Sequence, residues 1–306
     1  MTDTSLRILV ADKIAEPGLD QLRAAGIPFD VQTGLSPADL AVRIGQYDGV
    51  LIRSAVKITR EVLQNPGRLV VIARAGTGVD NVDLEAATAA GILVLNTPDA
   101  NTISTAEHTI AMMLALHRRI ADAHHHVVSG LWQRNQFEGA QVAGKTLGIV
   151  GFGRIGRAVA QRALAFEMKV VAYDPFVTSP TALDGAVTIV RQLKELLERC
   201  DCITLHASLS DDSRHMIGAE ELAIMKKGAR LMNCARGALI DETALADALN
   251  SGHLAGAAID FFEQEPPKGS PLLTAKNVVL TPHLAASTQE AQIRVSVEAA
   301  DAVIAY

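Results

Sequence analysis

Aromatic side chains are scarce in this chain, at 4% of its 306 residues. A core without them is packed from small branched side chains, and Ala, Val, Ile and Leu are abundant. That composition suits parallel strands buried on both faces under alanine-rich helices. Cysteine is rarer still. Cys200, Cys202 and Cys234 form an odd set with two members one residue apart, which makes a disulfide framework unexpected and favours a reducing, cytoplasmic setting. No apolar run approaches the roughly 20 residues of a membrane span, and the opening MTDTSLRILVAD lacks a signal-peptide pattern. Positive charge is not in excess either: the net charge of −6 argues against a general nucleic-acid surface. With 49% hydrophobic residues, a large core is feasible and disorder is not expected.

What the chain does have is alternation. RILVAD, GVLIRS, LVVIARA and ILVLN read as strands, with EPGLDQLRAAG and TREVLQN as helices between them, the first ended by Gly26. A second series follows: TLGIVG, KVVAYD, CITLHA, ARLMNCA, AGAAID and NVVLTPH. Strands alternating with helices imply parallel sheets with right-handed crossovers. Two series imply two doubly wound α/β domains, a Rossmann-type cofactor domain and a flavodoxin-like substrate domain. Residues 1–97 with 287–306 are expected to form the discontinuous substrate-binding domain, and 98–286 the cofactor domain.

After Pro98 and Asp99 one long helical pattern runs on through His124, His125 and His126. Consecutive helical residues point about 100° apart, so the three histidines read as a surface run and no metal site is expected. Cys200 and Cys202 read as the start of a strand, with both thiols on one side. The last segment reads as a helix capped by Ser287 or Thr288 that packs back on the first domain. It reaches Tyr306 without a C-cap signal, so a longer protein is expected.

TLGIVGFGRIGRAVAQ is strand, glycine turn and helix. Gly151 permits the tight turn, Gly153 lets backbone approach a pyrophosphate, and Gly156 permits close helix–strand packing. The helix start offers free N–H groups and a positive dipole to the phosphates. Asp174, at the next strand end, suits the ribose hydroxyls and repels a 2′-phosphate, which favours NAD over NADP. Tyr173 and Pro175 flank it and read as either adenine-pocket or packing residues.

Downstream, Arg236, Glu265 and His283 stand in NCARGALID, FFEQEPP and LTPHLAAS. A cation, a carboxylate and an imidazole are what hydride chemistry on a 2-hydroxy or 2-keto acid requires. Arg236 can bind the substrate carboxylate with its planar fork. His283 can give and take the proton at the C2 oxygen. Glu265 can fix the tautomer of His283 and stabilise its charged form.

The segments RAGTGVDNVD, GKTLGIVGFGRIG, CITLHASL, NCARGALIDE, AGAAIDFFEQEPP and TPHLAASTQEAQ resemble the D-isomer-specific 2-hydroxyacid dehydrogenase family, over essentially the whole chain. RAGTGVDNVD and SGLWQRNQFEG look like its phosphoglycerate branch. The resemblance implies the roles given above for Arg236, Glu265 and His283. It also implies NAD contacts from Thr77, Arg154, Ile155, Asp174, Ala207, Cys234, Asp260 and Ala286. A homodimer, or a tetramer of dimers, is implied through the helix at 101–120, with an arm carrying Trp132 around the partner. The implied activity is NAD-dependent oxidation of 3-phosphoglycerate to 3-phosphohydroxypyruvate, the entry to serine synthesis. A glyoxylate or hydroxypyruvate reductase of the same family shares the catalytic set, and an NAD-sensing corepressor-like binding protein could keep the same fold and trio.

A phosphorylated acid needs cations at its far end. Arg53 and Arg74 end two strands of the first series, Ser54 and Lys57 follow closely, and Arg134 lies in the arm. The same arginines read otherwise as structural or surface residues. Gly76, in RAGTGVD, fits a tight loop whose N–H groups bind the substrate carboxylate, or a plain turn. Ser208 stands where the family has proline, Ala238 and Ala285 where it has glycine, and Glu167 where a helix is usually closed by glycine. A left-handed glutamate there costs about 1–2 kcal/mol.

Overall fold

A computed structural model describes residues 6–306; residues 1–5, the start of the expected substrate-binding domain, lie outside the described residues. The chain divides into two units, Met1–Thr102 with Ala286–Tyr306, and Ile103–Ala285. No helix among the described residues is long and apolar enough to cross a membrane.

The first unit holds β1 (Ile8–Val10), β2 (Phe29–Val31), β3 (Gly49–Ile52), β4 (Val71–Arg74) and β5 (Leu93–Asn96). All pair in parallel in the order β2-β1-β3-β4-β5, the flavodoxin-like arrangement. Buried Ile8, Val10 and Leu51 face one apolar cluster and Leu9, Val50 and Ile52 another, so both faces of the sheet are covered. The helix Gln289–Ile304, capped by the Thr288 hydroxyl, covers one face with Val295, Ala299 and Val303. It is tied to the helix Glu16–Ala24 where the Ala15 N–H donates to Ser296 Oγ at 3.0 Å.

The second unit holds β6 (Thr146–Val150), β7 (Lys169–Tyr173), β8 (Thr181–Ala182), β9 (Val187–Val190), β10 (Cys202–Leu205), β11 (Arg230–Asn233), β12 (Gly256–Ile259) and β13 (Val278–Leu280). Its sheet runs β13-β12-β11-β10-β6-β7-β9-β8, with only the β8–β9 pair antiparallel. This is the Rossmann order extended by one strand at each edge.

Several sequence expectations need correction. Thr59–Asn65 is a turn rather than a helix; Pro66 follows directly and disfavours the helical conformation of the residue before it. The long helical pattern after Asp99 is two helices, Thr102–Arg118 and Ile120–Val128, broken where Arg119 adopts a left-handed φ of 53°. That break is compensated by the arginine side chain, which donates to the Gln136 carbonyl at 2.6 Å and lies over the Phe137 ring. Cys200 caps the end of the helix Leu193–Arg199, and its thiol faces the apolar cluster opposite the one that holds Cys202. The two thiols therefore do not share a side. Glu167 does adopt the left-handed conformation, with φ 60°, after the helix Arg154–Ala165.

Among the buried polar groups, His117 is fully enclosed. Its Nδ1–H donates to the Met113 carbonyl at 2.8 Å, so Nε2 accepts from the Cys202 thiol at 3.2 Å. Burial pushes this imidazole down from 6.5 to about 4. The unfolded chain protonates His117 below 6.5 while the fold keeps it neutral to about 4. Its contribution is therefore complete above the unfolded value and is lost as the pH falls toward the folded one. Acidification across that window is expected to remove up to about 3 kcal/mol of stability through this group. Urea unfolding of His117→Gln should show a flatter pH profile than the parent; identical profiles would clear His117 of the effect.

Candidate active site

Three adjacent parallel strands, β11, β12 and β13, end on the same edge of the second unit, with β12 in the middle. Ligands of open α/β sheets gather at this carboxyl edge. Arg236 follows β11, Phe261 and Glu265 follow β12, and His283 follows β13. The order of strands thus brings together three residues far apart in sequence.

Each side chain is held by local chemistry. The Asn233 amide donates to the Arg236 carbonyl at 2.8 Å and accepts from the Ala235 N–H at 3.0 Å, which fixes the turn that carries the arginine. Gly237 is required next, because a Cβ there would collide with the Phe262 backbone. The close approach sets Arg236 over the Phe261 ring, 5.6 Å from its centroid. Glu265 Oε2 accepts from His283 Nδ1 at 2.8 Å, and its Oε1 accepts from the Phe262 N–H at 3.3 Å. An ionised carboxylate only accepts, so Nδ1 carries the proton and Nε2 is left to exchange one with a ligand. The pair remains open to solvent, with side-chain exposures of 45% for His283 and 38% for Glu265.

His283 has a left-handed φ of 56°, a conformation costly for a residue with a Cβ. Asp260 holds it there. The His283 N–H donates to the Asp260 carbonyl at 2.9 Å, while the buried carboxylate accepts from Leu284 N at 2.7 Å, Ala285 N at 2.8 Å and Thr281 Oγ1 at 2.6 Å. His108 Nε2 lies 3.3 Å from the same carboxylate. Burial pushes the Asp260 pKa up, but these donors outweigh it and hold the carboxyl below its ordinary value. Asp260, expected to touch the cofactor, thus spends both oxygens on the loop that carries His283.

The glycine turn lies at the switch point of the sheet, between β6 and β10. Gly151 has φ 90°, and a Cβ there would stand 2.6 Å from the Ala207 nitrogen. Gly153 faces open space, and the helix Arg154–Ala165 that it precedes has no side-chain cap. Its first N–H groups can therefore serve a pyrophosphate, and the residues present fit a dinucleotide. Asp174 is braced by the N–H groups of Phe152 at 2.8 Å and Phe176 at 2.9 Å. Arg154 is exposed, while Ile155 and Ala207 are half-buried. Cys234 is buried, and burial pushes its thiol up to about 12, so it is a packing residue and not a ready thiolate. No cluster among the described residues could hold a metal ion.

In the first unit, Arg53 and Arg74 lie at the carboxyl ends of neighbouring β3 and β4, and Arg53 flanks the switch point between β1 and β3. Buried Asp12 accepts from the N–H groups of Arg53 and Ala55 at 3.1 Å each. Asn81 donates to the carbonyls of Arg53 at 2.7 Å and Val56 at 2.6 Å. The loop bearing exposed Ser54 and Lys57 is thus clamped from both sides. The Arg74 guanidinium occupies the space where a Cβ on Gly76 would stand. Thr77 donates to Asn101 at 2.7 Å, and the Ala286 carbonyl accepts from Gln292. Arg134 is exposed in the second unit's short helix Arg134–Phe137. Asp12, Asn81, His108 and Phe261 carry weight that the sequence reading missed. Only Asp12, an acid closing the strand pattern RILVAD, offered a local signal.

Residues 110–285 match the family model described as D-isomer specific 2-hydroxyacid dehydrogenase, NAD binding domain. A D-3-phosphoglycerate dehydrogenase from Methanocaldococcus jannaschii is 48% identical over 287 residues, covering 94% of this chain and 55% of the relative. One from Bacillus subtilis is 45% identical over 300 residues, covering 98% of this chain and 57% of the relative. The chain thus spans about half the length of the curated relatives it matches. The crystal structure of a glyoxylate reductase from Paecilomyes thermophila superposes with a TM-score of 0.90 at 32% identity, covering 98% of this chain and 94% of that one.

The donors around Asp260 make its replacement costly. Asp260→Asn leaves one acceptor oxygen and an amide facing N–H groups. It is expected to lower unfolding free energy by about 2–3 kcal/mol, measured by chemical denaturation; a loss below the error of the measurement would remove Asp260 from its anchoring role.

Proposed function

The chain belongs to the D-isomer-specific 2-hydroxyacid dehydrogenase family, and from that premise we propose that it oxidises 3-phosphoglycerate to 3-phosphohydroxypyruvate with NAD, the step that opens serine synthesis. The observation that carries the reading is the Glu265–His283 pair at 2.8 Å, set one strand away from the turn of Arg236. The relatives named D-3-phosphoglycerate dehydrogenase support the choice of acid.

Arg236 binds the substrate carboxylate through two parallel N–H donors and draws electron density from the adjacent carbon. His283 Nε2 accepts the proton of the C2 hydroxyl as the C–H bond breaks. Glu265, hydrogen-bonded to Nδ1, stabilises the imidazolium that results and keeps the ring from turning. NAD, when bound, supplies the hydride acceptor. In the reverse direction the same imidazolium returns its proton to the ketone oxygen.

Arg53, Ser54, Arg74 and Gly76 are proposed to serve the acid's anionic groups, with Arg134 as a further cation. A buried Arg53 Nε without a hydrogen-bond partner supports an anion there, because such a donor is costly unless a ligand meets it. Thr77, Cys234, Asp260 and Ala286 remain in this reading as neighbours of the cofactor, and Asp174 as the ribose acceptor. A homodimer belongs to the same reading. The helix Ile120–Val128 buries no residue, and Val127, Val128, Leu131 and Trp132 are all at least half exposed, Trp132 at 82%.

His283→Ala is expected to lower kcat by about 10²–10⁴-fold with NADH affinity unchanged; turnover equal to the parent's would end the assignment. Arg53→Ala is expected to raise KM for 3-phosphoglycerate by about 10- to 100-fold, and far less for an unphosphorylated 2-hydroxy acid. Steady-state rates on both acids decide this, and equal effects would refute the phosphate role. Faster turnover of glyoxylate than of the phosphorylated acid would assign the reductase reading instead.

A further inference from the structure

Phe261 stands out against the rest of the site. In a chain with 4% aromatic residues, one ring sits at the end of the middle strand of three, between the turns that carry Arg236 and His283. It is 9% exposed and belongs to the second unit's apolar core, so it cannot swing away. Its centroid lies 3.8 Å from that of the His283 ring, tilted by 46°, and the Arg236 guanidinium carbon stands 5.6 Å from the same centroid. We propose that Phe261 is a positioning residue for both groups at once, one aromatic ring that aligns the proton-exchanging imidazole and the carboxylate-binding guanidinium. The inference rests on the roles proposed for Arg236 and His283.

Phe261 acts on its neighbours through both steric contact and electrostatics. Steric contact comes first. The Glu265 hydrogen bond holds the Nδ1 corner of His283 and keeps the ring from flipping, and the Phe261 ring packed against the imidazole limits its remaining tilt about that contact. For Arg236, Gly237 lets its turn press against the Phe262 backbone, and the guanidinium carbon stands 5.6 Å from the centroid of the adjacent Phe261 ring. Electrostatics comes second. The face of a benzene ring is electron-rich and attracts cations. Arg236 is always charged, and His283 becomes charged each time it takes the substrate proton. The ring therefore favours the guanidinium throughout and the imidazolium when it forms. An aliphatic side chain of similar volume supplies only the packing.

Two replacements separate packing from the electrostatic role, each read by kcat and KM on 3-phosphoglycerate, NADH affinity by fluorescence titration, and thermal unfolding. Phe261→Leu keeps an apolar side chain in the core. It is expected to lower kcat/KM by about 10-fold, through both kcat and KM, with NADH affinity unchanged. Pentafluorophenylalanine introduced at position 261 alone keeps the shape of the ring and reverses the charge of its face. It is expected to lower kcat/KM at least as far as leucine does, with a difluoro ring falling between it and the parent. Equal kcat/KM across the fluorinated series would overturn the proposal, as would a loss that merely follows the unfolding temperature. Arg236→Ala and His283→Ala serve as the reference. If either retains parental activity, the reading of the site has failed; if both are inactive and the fluorinated series is flat, only the role of Phe261 has.

Discussion

The carboxylate of Asp260 has no solvent exposure, yet it stays ionised because side-chain and backbone donors converge on it. Those donors come from the residues on either side of His283 and from His108 on the helix Thr102–Arg118. A left-handed histidine in a loop would otherwise relax to ordinary backbone angles, and the direction of its ring would change with it. The loop is therefore not placed by its own preference. A charge buried one residue beyond the end of β12 dictates it, and the energy of those hydrogen bonds exceeds the local strain.

From that anchor the rest of the site follows by topology. Parallel pairing of β11, β12 and β13 aligns Asn233 with Ile259, and Ile259 with Leu280. Chain leaving each strand then emerges at one level, a few residues from its neighbours. Asn233 and Gly237 shape the first exit, Asp260 the second and third. The outcome is a cation and an imidazole on the outer two exits and an aromatic ring with a carboxylate on the middle one. Antiparallel pairing would send alternate exits to opposite edges and could not gather them.

Much of this was legible in the sequence because the decisive signals are local. GFGRIG, the strand alternation, and the chemistry of Arg236, Glu265 and His283 each sit within a few residues of a strand end. Less local features did not read through. Phe29–Val31 is a three-residue edge strand without a buried residue, and the pattern offers nothing to detect. The break at Arg119 carries neither glycine nor proline; it is held by Gln136 and Phe137, which lie beyond the following helix. Phe261 reads from sequence as one more apolar core residue. Its double contact depends on which strands flank β12, and that order is a property of the sheet.

Three histidines show how position decides chemistry. His117 is fully buried with its Nδ1–H committed to a carbonyl and its Nε2 to a thiol, so burial holds it neutral to about 4. His206 lies beside the glycine turn with Nε2 near the Thr204 hydroxyl, and burial pushes it down to about 3. Neither has a carboxylate at hand, and neither can carry a proton near neutrality. His283 differs from both: its Nδ1 is hydrogen-bonded to the Glu265 carboxylate at 2.8 Å, and its side chain is 45% exposed. In the role proposed for it, His283 must be exposed enough to reach a substrate and held firmly enough to aim. In this fold exposure comes from the open edge of the sheet. The loop is held by buried Asp260, and the imidazole packs 3.8 Å from the Phe261 ring, centroid to centroid.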